Sequence, residues 1–111
     1  MAPIDALVER FAALAHSHRI RIVRLLLAAW ELGGMTAGEL QAQLRIPGST
    51  LNHHLATLER AGLVTSRRDR QWVWYAAVPA GLREMQEFLF QECCSASRTV
   101  PVQDTQGGNK P

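Results

Sequence analysis

RIPGSTLNHHLATLERAGLVTSRRDRQWVWY, residues Arg45–Tyr75, changes its apolar period once, and that change sets the fold. Leu51, Leu55, Leu58 and the Ala61-Gly62-Leu63 end fall at spacings of three to four, which lays one apolar stripe along a helix. Gly62 suits the end of that helix, because glycine takes a positive φ without steric cost. From Val64 the period drops to two. Trp72, Trp74 and Ala76 point one way and Val73 and Tyr75 the other, as in a two-stranded hairpin whose predicted tip is Arg67, Arg68, Asp69, Arg70 and Gln71.

The helix face opposite the leucines carries Ser49, Thr50, Asn52, His53, Ala56 and Thr57. These side chains are short, most can hydrogen-bond, and together they let a helix drop into a groove, which is what reading base edges requires. A tip with three arginines beside such a helix is the pattern of a winged helix-turn-helix, with Arg67, Arg68 and Arg70 reaching for phosphates. Plain solvation also produces charged tips, so it is the order of elements that favours DNA. Eleven of the twelve basic residues are arginine, and four of them lie between Arg60 and Arg70. Arginine's planar fork matches phosphate and guanine better than an ammonium does. The net charge of only +2 means that any nucleic-acid surface must come from this local placement.

The stretches LAHSHRIRIVRLL (Leu14–Leu26), TLNHHLATLERAGLV (Thr50–Val64) and the R-x-x-x-W-V-W-Y wing strand resemble the ArsR/SmtB family of metal-sensing repressors. The likeness spans Leu7 to about Cys94. It implies a mainly α fold with a small β-hairpin, a winged helix-turn-helix homodimer that binds an inverted-repeat operator in double-stranded DNA and releases it when an inducer binds.

The remaining segments are consistent with that architecture. At 111 residues the chain fits one domain, expected over residues 1–94, and residues 95–111 are too poor in apolar groups to pack and are predicted to be a disordered tail. Ile4, Leu7, Val8, Phe11 and Leu14 trace a first helix. A second is predicted from Ser17 to Leu32, apolar nearly all round from Leu25 to Trp30, capped by Ser17 where the family usually has proline, and ended by Gly33-Gly34. Thr36 and Glu39 make a capping-box pattern that opens a short helix through Leu44. Pro47 can pre-set the next helix, with Ser49 as a candidate cap. Pro79 starts a last helix to about Glu92, with Leu82, Met85, Phe88 and Leu89 on one stripe. Two terminal helices with apolar stripes exceed what one small core can cover, so the first and last helices are expected to form the homodimer contact.

Cys93 and Cys94 are the one pair that suggests a ligand site. Adjacent Cα atoms lie about 3.8 Å apart, below the roughly 4.4–6.8 Å of ordinary disulfides, so the pair is poorly placed for a bridge. Soft thiols select soft ions. Neighbours on an intact helix diverge by about 100°, so joint chelation needs the backbone to leave helical geometry, as it can at a helix end. Within the family resemblance, Met35 to Leu40 lacks the cysteines of one arsenic-sensing branch, and Arg83 to Glu92 lacks the histidine of the zinc branch. What remains resembles sensors with cysteines at the end of the last helix. The resemblance then implies As(III), methylated As(III) or Sb(III) as inducer on Cys93 and Cys94, with a third ligand from a small thiol, hydroxide, a methyl group or another acceptor.

His53 is expected on the reading face and His54 half-buried in packing; His16 and His18 have the spacing of possible ligands at a helix junction, but with nothing to pair with them they are expected as caps or surface residues. Trp72 and Trp74 are expected to support the wing rather than stack on single strands. No nucleophile with an adjacent base, phosphate-cradling loop or paired carboxylates suggests an enzyme. A basic leader and an apolar span are both absent from the sequence, which predicts a soluble cytoplasmic protein with no membrane partner. Two other readings stay open: a thiol-redox repressor of the same fold, and a protein-interaction module that does not bind DNA.

Overall fold

The computed structural model describes residues 3–95, with side chains described as far as Gln91. The predicted tail beyond residue 95 lies outside the described residues. The elements run α1 (Ile4–Leu14), α2 (Ser17–Ala28), a 3₁₀ turn (Trp30–Leu32), β1 (Met35–Thr36), α3 (Ala37–Leu44), α4 (Gly48–Arg60), β2 (Val64–Asp69), β3 (Trp72–Ala77) and α5 (Pro79–Ser95). This is a winged helix-turn-helix.

The core gathers one stripe from each helix: Leu7 of α1, Ile22 and Leu26 of α2, Leu40 of α3, and Leu51, Leu55 and Leu58 of α4, all essentially without solvent exposure. Burying a leucine or isoleucine side chain contributes about 1.5–3 kcal/mol, so this cluster supplies most of the force that fixes α4 against its neighbours. The end of α4 is closed by a paired cap. The Gly62 amide donates to the Glu59 carbonyl and the Leu63 amide to the Leu58 carbonyl, with Gly62 at φ 82°. Leu63 and Leu58 are both fully buried there, the apolar contact that accompanies this cap. The predicted capping box of α3 is present in both halves, Thr36 accepting from the Glu39 amide and Glu39 from the Thr36 amide.

Several expectations need correction. The second helix stops at Ala28 and tightens into a 3₁₀ turn, and Leu27 and Trp30, within the run read as apolar nearly all round, are exposed. Its cap is not Ser17 but His16, whose Nδ1 accepts from the His18 amide at 3.1 Å. At α4 the capping position falls on Pro47, without a side-chain bond, so Ser49 lies inside the first turn. The sheet has three strands in the order β1-β3-β2, because Met35 and Thr36 pair with Tyr75 and Trp74. The hairpin turn is only Arg70-Gln71, with Arg70 at φ 61°, and Arg67, Arg68 and Asp69 belong to β2. The last helix continues past Glu92 to Ser95, so Cys93 and Cys94 fall on helical backbone in its final turn. Their side chains lie outside the described residues.

Candidate nucleic-acid interface

The α3–turn–α4 unit is positioned by backbone chemistry at both ends. Arg45 ends α3 in the left-handed region at φ 58°, its amide returning to the Gln41 carbonyl, and Pro47 in extended geometry launches α4. With the leucine stripe of α4 inward, about 100° of rotation per residue puts Ser49, Asn52, His53 and Ala56 at the centre of the opposite face. All four are exposed. Thr50 and Thr57 lie on its flanks, half-buried, and the Thr57 hydroxyl donates back to the His53 carbonyl at 3.1 Å. The exposed face of α4 is therefore narrower than the sequence suggests, with the two threonines at its border.

The wing arginines also divide. Arg67 donates to the Gly33 carbonyl at 3.0 Å and lies over Trp74, its guanidinium carbon 5.3 Å from the ring centroid. Arg68 and Arg70 are exposed, and their guanidinium groups bond to no other described side chain or carbonyl. Register explains the split: Arg67 pairs across the hairpin with Trp74, whereas Arg68 pairs with Val73 and so faces the other side of the ribbon. Ser66 donates to Glu59 at 2.7 Å and so ties the wing to the end of α4. Burial and then the Glu59 charge push the Tyr75 hydroxyl above its ordinary pKa. Trp74 is half-buried and shares with exposed Trp72 an open groove lined also by Thr36, Glu39 and Ala42.

Two features are not visible in the sequence pattern. Arg10 of α1 donates to the Ala61 carbonyl at 3.1 Å and the Gly81 carbonyl at 3.3 Å, and pairs with Glu84, so one side chain joins α1, the end of α4 and the start of α5. The Arg10 hydrogen bond, more than its charge alone, holds the Glu84 carboxyl below its ordinary range. The second feature is His54, only 4% exposed, which accepts at Nδ1 from Arg19 Nε at 3.1 Å and packs on His16 and His18. The expected half-buried packing residue is thus a buried hydrogen-bonded one, and His16 and His18 do have a partner. Residue spacing could not show this, because the contact joins the start of α2 to the middle of α4.

Burial first, then the charges of His16, Arg19, His18 and His53, lower the His54 pKa from 6.5. The folded state therefore disfavours a proton that the unfolded chain accepts. Stability from this group is complete above about pH 6.5 and is lost as pH falls towards the folded value. In metal-free buffer, the urea midpoint is expected to drop between pH 7 and 5, and to drop less in His54→Gln, which cannot titrate. An equal slope in both proteins would place the acid sensitivity elsewhere.

Among the described residues no helix is long and apolar enough to cross a membrane. Residues 14–67 match a helix-turn-helix domain family. The chain is 34% identical over 86 residues to the transcriptional activator HlyU of Vibrio cholerae, covering 78% of this chain and 76% of that protein. Its fold matches the solved HlyU structure with a TM-score of 0.65 at 33% identity, over 85% of this chain and 99% of that one. An ArsR-like transcriptional regulator from Rhodococcus superposes with a TM-score of 0.71 at 26% identity, over 86% of each chain. An arsenical resistance operon repressor of Halobacterium salinarum is 35% identical over 78 residues, 70% of this chain and 59% of that protein. On these matches the chain belongs to the ArsR/SmtB family of DNA-binding transcriptional regulators.

Proposed function

We propose that this protein is a homodimeric repressor that releases an inverted-repeat operator when As(III), methylated As(III) or Sb(III) binds Cys93 and Cys94. The observation that carries the DNA half is the exposed Ser49, Asn52 and His53 face of α4 beside the unbonded guanidinium groups of Arg68 and Arg70. The inducer half rests on the chain's only two cysteines falling in the last turn of α5, the helix that packs on α1. Similarity to an arsenical resistance operon repressor supports the metalloid class. Since neighbouring side chains on a helix diverge, holding one ion unwinds that last turn and moves the α5 end. By linkage, operator DNA and metalloid weaken each other by the same factor.

Anisotropy titrations of operator and random duplex over a salt series test the DNA half. Arg68→Ala and Arg70→Ala should weaken both duplexes alike and reduce the salt slope by about one for each phosphate left unneutralised. Asn52→Ala and His53→Ala should cost roughly 1–3 kcal/mol on the operator alone. Duplex binding that ignores salt would turn the reading to a protein-interaction module. Adding As(III), Sb(III), Zn(II) and peroxide to the operator complex tests the inducer half. Cys93→Ser and Cys94→Ser should each keep repression and lose release by metalloid. Release by peroxide alone would make the protein a thiol-redox repressor.

A further inference from the structure

We propose that His16, His18 and His54 form a binding site for a zinc-like divalent cation, separate from the cysteines. Their ligating nitrogens all lie within 4.8 Å of one another. The rings gather around His54, with centroids 4.5 Å from it for His16 and 5.5 Å for His18, and 5.4 Å between those two. Nitrogens about 2.0–2.1 Å from a tetrahedral ion stand roughly 3.3 Å apart, so the widest separation in the cluster must contract by up to about 1.5 Å. His16 is exposed and His18 half-buried at the start of α2, where ring rotation can supply that movement, while buried His54 fixes the third corner.

The donor set selects the ion. Three imidazoles without a carboxylate suit zinc, nickel, copper or cobalt and not the oxygen-seeking magnesium or calcium. Three protein ligands leave a fourth position for water.

The hydrogen bonds say what such an ion displaces. His54 accepts from Arg19 at Nδ1, and His16 accepts from the His18 amide at Nδ1. In each neutral ring the proton then sits on Nε2. An ion on Nδ1 takes the accepting lone pair directly. On Nε2 it moves the ring proton to Nδ1, which then donates and can no longer accept. Either way both hydrogen bonds are given up, and the Arg19 cation is expelled from His54. Arg19 thus competes with the metal, and the ion replaces one α2–α4 tie by another.

The test uses the untagged full chain carrying Cys93→Ser and Cys94→Ser, so that thiolates contribute nothing and failure of the inducer assignment cannot affect it. Titration with Co(II), followed by Zn(II) displacement, should give one ion per protomer with ligand-field bands of a four-coordinate nitrogen site and no sulfur charge-transfer band. His16→Ala with His18→Ala, at exposed and half-buried positions that leave the core intact, should weaken Co(II) about 100-fold, at or beyond the loss typical for an outer-shell partner. Arg19→Ala should tighten it, by about tenfold. A purely structural role for the histidines predicts no such gain. Unchanged Co(II) affinity in the double histidine variant, or the absence of stoichiometric binding in the parent, would overturn the proposal.

Discussion

Gly34→Ala is expected to cost more than about 4 kcal/mol of folding stability, close to the whole margin of a small domain. Gly34 sits at φ 107°, and a Cβ there would lie 1.9 Å from the Tyr75 carbonyl oxygen and 2.8 Å from its carbon. Both obstacles are backbone, so no rotamer relieves them. Keeping β1 on β3 then requires an impossible contact, and releasing β1 abandons the Met35–Tyr75 and Thr36–Trp74 pairing together with the placement of the α3 cap. Gly38→Ala is the matched control. Gly38 lies in the first turn of α3 with open space around it, so alanine there should stabilise by roughly 0.5–1 kcal/mol. Urea unfolding followed by tryptophan fluorescence measures both, and a Gly34→Ala protein within about 1 kcal/mol of the parent, well short of what a backbone clash costs, would show that β1 does not dock as described.

Leu89→Glu is expected to yield a folded monomer with operator affinity lower by about 100- to 10,000-fold, the range over which a second linked site contributes. Ile4 is 62% exposed, Val8 58%, Leu89 60% and Phe90 54%, on the two helices that pack together at the chain's ends. Such an apolar surface on one protomer fits the proposed dimer contact. The helical stripe alone puts Leu82 and Met85 in that contact as well. The structure turns Met85 into the protomer's own core at 5% exposure, with Leu82 half-buried against it. Met85→Glu should therefore unfold the chain where Leu89→Glu only divides the dimer. Sedimentation velocity with circular dichroism separates the two outcomes, and a Leu89→Glu dimer with full operator affinity would place the interface elsewhere.

Much of the fold was legible because it rests on local chemistry. The α4 stripe, the Gly62 stop, the Thr36–Glu39 capping box and the change to period two are all written within a few residues of where they act. What was hidden depends on contacts across long stretches of chain. Gly33-Gly34 reads as a helix stop, and only the strand partner Tyr75 shows why the second glycine is required. Leu82 and Leu89 are alike on a helical wheel, yet one meets the core and the other solvent. Arg67 is equal to Arg68 and Arg70 in the sequence until strand register sets it over Trp74. His16 and His18 read as unpartnered because their partner lies on another helix.

The three-way joint made by Arg10 has a mechanical consequence. Its guanidinium grips the Ala61 carbonyl at the C-terminal end of α4, while Ser49 and Asn52 sit near the far end of the same rod. Thirteen residues at about 1.5 Å each give a lever roughly 20 Å long. A tilt of about 10° about the gripped end would sweep the far end through roughly 3.4 Å, the rise of one base pair along a DNA strand. The pivot also holds Gly81 and Glu84 at the root of α5. Because buried Leu51 lies between Ser49 and Asn52, α4 can tilt only together with the helices packed on it, and under the proposed function a displacement of α5 that turns this body would shift the exposed α4 face against a half-site by about one base pair.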